Sequence, residues 1–213
     1  MKRTAAALIL TAALAAPATR AQEIELGIRG GYYVPTGQVF RLSRNLPPSL
    51  GGITSVWTEG RNDAGPAAAL NLTAWLRHAV GVDLGTSLRS SNRATTSSAG
   101  PATSISVHTL RLLTRVGLGS FRLHAGAGPA LVHFDGVSYN DTGVLVHLAK
   151  RTFVGGSAAL QLSRTVGHVP LYVSMEDAIY KPTLERLALG VQPIPALQHD
   201  LLFGVGVAVP MRR

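Results

Sequence analysis

The sequence predicts an all-β fold, an eight-stranded antiparallel up-and-down transmembrane β-barrel. Three observations predict it. Apolar and polar residues alternate with a period of two in eight segments, which is the pattern of strands with one apolar face. The connections between these segments alternate between long and short. The mean hydropathy is positive, at +0.22, yet after residue 21 no uncharged apolar run approaches the roughly 20 residues that a membrane-spanning helix needs.

Residues 67–89 show the alternation most clearly. Residues 77–79 separate two alternating runs, and a hairpin closed there places Leu76 opposite Val80. Both aliphatic rows then lie on one face, and Asn, Thr, Asp and Arg lie on the other. A helix is disfavoured because the leucines of the first run do not form one helical stripe. A membrane barrel turns its aliphatic face to lipid, whereas a soluble barrel turns that face inward.

The other strands follow the same rule. In chain order, the eight predicted strands are 24–34, 68–76, 80–89, 110–118, 121–131, 152–162, 171–176 and 201–209. The predicted long connections are 36–64, 90–104, 135–148 and 181–197, the last with one possible helical turn in its ERLALG segment. Gly119 and Ser120 form a two-residue turn that pairs Leu118 with Phe121, and a further short connection lies near residues 164–168.

The first 21 residues predict a secretory signal peptide, with Lys2 and Arg3 before an apolar run and cleavage after Ala21. Residues 22–213 then form a single barrel domain. The signal carries three of the nine net positive charges, which leaves +6. A basic balance without Lys-rich runs does not indicate nucleic-acid binding. The chain has no cysteine, which excludes disulfides and a lipid anchor on cysteine.

Polar residues on the face opposite the aliphatic rows are predicted to line the lumen. These candidate lumen residues are Glu25, Arg29, Asn71, Thr73, Asp83, Arg89, Arg111, Arg115, Arg122, His124 and Glu176. An eight-stranded barrel is only wide enough for side chains, and enclosed charges must pair. We therefore expect an ion-pair network around Asp83 and Glu176. Since inward arginines outnumber inward carboxylates, a narrow anion-preferring water path is the alternative.

No catalytic, metal or cofactor site is predicted. His124, Ser174 and Glu176 are the residue types of a barrel-embedded lipid deacylase, but that chemistry acts on lipid at the outer wall, and these three residues face inward. The histidines are scattered singly, at strand ends and turns, without cysteines. The glycine pairs do not open helices, so they form no phosphate cradle.

The strand number and the alternating connections resemble the small eight-stranded outer-membrane barrels of Gram-negative-type bacteria, the group that includes the OmpA-like and OmpW-like barrels. The resemblance covers nearly all of residues 22–213 and is one of pattern, without a subfamily motif. It implies a bacterial outer-membrane location, short periplasmic turns and long extracellular loops. It also implies contact with lipid and lipopolysaccharide, and assembly by the barrel-assembly machinery. Such barrels usually end on a terminal aromatic, whereas this chain ends Pro210, Met211, Arg212, Arg213.

The function expected from these observations is non-enzymatic. It is a structural or surface-interaction role, or a limited, porin-like passage of small solutes, with no cofactor. The alternative is a soluble secreted barrel of lipocalin type that holds an apolar ligand. Residues 36–64 mix apolar side chains with arginines, which suits a loop that caps the barrel or one that contacts lipopolysaccharide phosphates and partner proteins.

Overall fold

The computed structural model describes residues 23–37, 40–45, 55–60, 64–76, 78–91, 103–135, 138–141, 144–147, 152–183, 191–193 and 197–211. Its strands are β1 (Glu23–Pro35), β2 (Phe40–Asn45), β3 (Ser55–Gly60), β4 (Gly65–Trp75), β5 (Val80–Ser91), β6 (Thr103–Leu118), β7 (Phe121–Asp135), β8 (Ser138–Asp141), β9 (Val144–His147), β10 (Thr152–Val166), β11 (Val169–Tyr180), β12 (Val191–Pro193) and β13 (Gln198–Met211). In this part of the chain we find no helix with the length and hydropathy needed to cross a membrane.

Eight of the strands form a closed antiparallel barrel in the order β1, β13, β11, β10, β7, β6, β5, β4. The predicted fold is confirmed. The barrel has a shear of ten residues. A path that starts at Tyr33 and passes from each residue to its partner on the next strand returns to β1 at Glu23, ten residues away. Such an offset requires strands tilted by roughly 40° and leaves an interior that side chains fill.

The short turns lie at one end of the barrel, which we call the short-turn end. The Leu76 amide donates to the Val80 carbonyl at 3.0 Å, and Leu118 pairs with Phe121, as predicted. The connection predicted near residues 164–168 is shorter, because β10 and β11 extend to a two-residue turn. Gly167 opens that turn with a φ of 61°, a conformation that glycine adopts without steric cost.

The long connections, at the opposite long-loop end, contain more structure than the sequence predicted. Strands β2 and β3 lie in the predicted loop 36–64, and β2 also pairs with β12, which makes a three-stranded sheet. Strands β8 and β9 pair within the connection between β7 and β10. Strands β5 and β6 extend to Ser91 and Thr103, so the predicted loop 90–104 is shorter. The predicted helical turn in residues 185–190 lies outside the described residues.

The aliphatic rows face outward. Leu70, Leu72 and Leu112 are 48, 42 and 62% exposed, and Arg29, Asp83 and Glu176 are buried inside. A lipocalin-type barrel would enclose the leucines instead. The polarity is therefore the one expected of a barrel surrounded by hydrocarbon.

The outward apolar surface forms a band of limited height. On β7 it runs from Phe121 to Leu131, and ten residue steps of a tilted strand span about 26 Å. Outward-facing charged or histidine side chains of the barrel strands lie at the two margins of the band. They are His108, His133, Asp135, Asp177 and His199 toward the long-loop end and Arg164 at the short-turn end.

Candidate functional site

Five of the candidate lumen residues meet in the middle of the barrel, and we call them the charge cluster. Its members are Arg29 on β1, Asp83 and Arg89 on β5, Arg111 on β6 and Glu176 on β11. Each occupies an inward position of its strand, because the side chains of a strand alternate between its two faces. The barrel closes around them, so all five are buried.

Glu176 is the centre of the charge cluster because it contacts three guanidinium groups. Its Oε2 accepts hydrogen bonds from Arg29 Nη2 and, at 2.6 Å, from Arg111 Nη1. Its Oε1 accepts from Arg89 Nη2 at 2.9 Å. The three arginines come from three different strands, so this carboxylate joins distant parts of the barrel wall. Charge-assisted bonds of this kind are the strong ones in proteins.

Asp83 completes the cluster on the opposite side of Arg111. Its Oδ2 accepts from Arg111 Nε at 3.0 Å and Nη2 at 2.6 Å. Thr73 donates to Oδ1 at 2.9 Å, and the Asn71 amide lies at 3.1 and 3.2 Å from the two oxygens. The carboxylate is thus surrounded by donors, which is the condition under which a buried charge is tolerated.

Asp200 on β13 also belongs to this region, although the sequence analysis did not include it. Its carboxylate accepts from Tyr33 at 3.2 Å and from Tyr180 at 2.9 Å, and its backbone carbonyl accepts from Arg89 Nη1 at 3.0 Å. The predicted last strand began at Leu201, whereas β13 begins three residues earlier, at Gln198. Asp200 has the same parity as the inward Leu202, so a strand extended by one residue would have placed it in the lumen.

A second group surrounds Trp75, nearer the short-turn end. The Trp75 Nε1 donates to Glu25 Oε2 at 3.1 Å, and the Arg115 guanidinium lies 4.2 Å from the ring centroid. His124 contacts the same ring edge-on, with centroids 5.2 Å apart. Arg115 also pairs with Glu23 at 2.9 Å. Apart from Arg122, the structure therefore divides the predicted lumen residues between two groups, and Trp75 rather than a charge is the centre of this one.

Arg122 joins neither group. Its side chain is exposed at the short-turn end, and it takes part in none of the ion pairs formed among the described residues. At the long-loop end the interior is filled instead by Phe134, Phe153 and Tyr180, whose ring centroids lie 5.7 to 6.0 Å apart.

The cavity found beside the charge cluster, in the described part of the barrel, is small. A cavity of about 30 Å³ lies between the charge cluster and the Trp75 group, lined by residues of both. That volume holds about one or two water molecules. The described interior therefore resembles a packed core with polar residues rather than an open channel.

His124 and Ser174, two of the residue types of a lipid deacylase, do not meet in a catalytic arrangement. Ser174 Oγ lies 3.1 Å from Arg29 Nη1, from which it accepts a hydrogen bond. His124 Nδ1 lies 3.5 Å from the Gln161 amide, and its Nε2 has no hydrogen-bond partner. A serine nucleophile needs a base within hydrogen-bond reach, and His124 does not supply one. Among the described residues there is also no group of three potential metal ligands.

No protein-family model matches the sequence, and no curated protein is similar to it. Solved structures are similar in fold. The outer membrane protein OprG from Pseudomonas aeruginosa is 14% identical over 89% of this chain and 96% of its own, with a TM-score of 0.58. The outer membrane protein AlkL, solved in lipid bilayers, is 11% identical over 93% of this chain and 95% of its own, with a TM-score of 0.57. The chain thus has the fold of the small eight-stranded outer-membrane barrels.

Proposed function

We propose that the chain is a non-enzymatic outer-membrane β-barrel protein with a structural or surface-interaction role. The observation that carries the proposal is its polarity, with aliphatic rows outside and the charge cluster inside. A soluble protein would leave an apolar surface of this extent open to water, which soluble monomers avoid. The apolar band of about 26 Å also matches the roughly 25 Å of known outer-membrane barrels.

The proposed orientation follows from the two ends of the barrel. The short turns lie in the periplasm and the long connections on the cell surface, as in other barrels of this kind. The sheet of β2, β3 and β12 then belongs to the surface. Outer-membrane lipid, lipopolysaccharide and the barrel-assembly machinery are the proposed partners, and residues 1–21 are the proposed signal for secretion.

Heat-modifiable migration tests the membrane-barrel proposal. In cells that express the full chain, we expect the protein in the outer-membrane fraction, and we expect an unheated sample to migrate differently from a boiled one on a detergent gel. The physical reason is that every strand of a closed barrel is paired on both sides, so detergent does not unfold it without heat. Recovery in the soluble fraction, with one migration at both temperatures, would contradict the proposal.

Passage of small solutes is the second candidate, because the predicted inward arginines outnumber the predicted inward carboxylates. With Glu23 and Asp200 included, however, the described barrel strands place five arginines and five carboxylates at inward positions, which removes the expected excess of positive charge. Two observations argue against the passage of solutes: the arginines of the charge cluster are paired with carboxylates, and the cavity beside them is small. We therefore expect planar bilayers to show no conductance steps at a high load of the reconstituted chain. A porin in the same bilayers is the control for detection. Steps that carry chloride in preference to potassium would favour the anion path over a closed barrel.

A further inference from the structure

An apolar groove lies on the outward surface of β10, β11 and β13, toward the short-turn end. Its volume is about 580 Å³, which is within the range of small-molecule sites. The aliphatic side chains that line it are Leu162, Leu171, Val173, Val205 and Val207. Arg164 and Phe121 stand at one side of the groove, so an otherwise aliphatic surface has one cationic edge.

Arg164 differs from the other arginines of the barrel. It is the one arginine or lysine that faces outward among the described residues of the barrel strands. Its guanidinium lies 5.4 Å from the centroid of Phe121, and no carboxylate among the described residues pairs with it. An arginine at this position keeps its stem along the apolar surface and its charged end at the membrane interface.

We propose that this groove binds one glycerophospholipid, with its phosphate on the Arg164 guanidinium and an acyl chain along the aliphatic side chains. The inference rests on the proposed membrane location. Arginine binds phosphate through two parallel N–H groups, and Phe121 holds the guanidinium beside the groove through a cation–π contact. The site is thus complementary to the lipid at both of its ends.

Other occupants fit the groove less well. A peptide strand would need a free sheet edge, but β10, β11 and β13 are paired along the groove. A second copy of the chain, in the same membrane orientation, would need an outward carboxylate at the height of Arg164 to pair with its guanidinium. The outward carboxylates of the described barrel strands, Asp135 and Asp177, lie toward the long-loop end. A neutral apolar ligand would leave Arg164 unpaired.

The test compares Arg164→Gln with Arg122→Gln. Arg122 pairs with Ser163, the residue next to Arg164 on β10. Its strand position faces the interior, whereas Arg164 faces outward. The two variants therefore remove one positive charge each, at similar heights but on opposite faces of the barrel wall. Native mass spectrometry of the full chain in non-ionic micelles would measure retention of phosphatidylglycerol and of diacylglycerol with the same acyl chains. We expect the original chain to retain the phospholipid about fivefold better, the effect of one arginine near a membrane surface.

Arg164→Gln should abolish that preference, and Arg122→Gln should keep it. Val173→Trp, which fills the groove, should lower retention of both lipids, and Val116→Trp should not. Val116 is a fair control because its exposure of 55% is close to the 53% of Val173. Equal retention of phosphatidylglycerol by the two arginine variants would overturn the proposal, as would unchanged retention of both lipids by Val173→Trp. Insertion of every variant into liposomes is measured first, so a failed membrane location is distinguished from a failed lipid site.

Discussion

Replacing Glu176 by glutamine is expected to lower the free energy of unfolding by roughly 3–5 kcal/mol, the cost of breaking a buried ion pair from one side. The substitution preserves the size of the side chain and removes its charge. Arg29 and Arg89 then lose their carboxylate partner, while Arg111 keeps Asp83. The penalty arises from Arg29 and Arg89, whose buried charges lose the carboxylate that compensates them.

Equilibrium unfolding in urea, with the protein refolded into liposomes, measures this effect. Glu23→Gln is the matched control, because Glu23 also pairs with an arginine but its side chain is 33% exposed. A pair with that exposure contributes about 1 kcal/mol or less. If the two variants unfold at the same urea concentration, Glu176 is not the centre of the charge cluster.

Replacing Leu112 by arginine is expected to destabilise the barrel in liposomes by roughly 2–4 kcal/mol, as for an arginine at the bilayer midplane on the lipid face of a barrel. Leu112 is exposed and lies well inside the apolar band. In a water-soluble barrel an arginine at such an exposed site would change stability by less than about 0.5 kcal/mol. The substitution therefore reports which solvent surrounds the aliphatic rows.

Leu118→Arg is the control, since Leu118 faces outward on the same strand next to the turn at Gly119. An arginine near the interface costs about 0–1 kcal/mol. The two variants are compared by the same urea titration. Equal, small effects at both positions would contradict a membrane around the barrel, whereas a loss confined to Leu112→Arg would support it.

The barrel was predictable because its determinants are local. Alternation assigns each side chain to a face without knowledge of the rest of the fold, and the short turns then set the register, as between Leu118 and Phe121. The sheet at the long-loop end was not predictable in this way. Strand β12 is three residues long and pairs with β2, about 150 residues earlier in the chain, and nothing in either segment specifies the other.

The interior was predictable only as a set of residues. The alternation placed Arg29, Arg111 and Glu176 on the inward face. Which of them meet depends on the register of β1 and β11, which lie on either side of β13 in the closed barrel. The same closure gathers Glu25 and Arg115 around Trp75 instead of the charge cluster. The role of Asp200 was missed because the start of its strand was placed at Leu201, three residues after the start of β13.

The seam between β1 and β13 has a consequence for the order of assembly. These are the first and last strands of the barrel, and Arg29 on β1 reaches past β13 to Glu176 on β11. We expect contacts between such distant segments to form late in folding, because the long chain between them must lose conformational entropy before these contacts can stabilise the fold. Until the ends join, β1 and β13 each lack a partner on one side, and Arg29 is not held beside Glu176. We therefore expect the Arg29–Glu176 ion pair to form together with barrel closure, so that an incomplete ring leaves these two charges without each other.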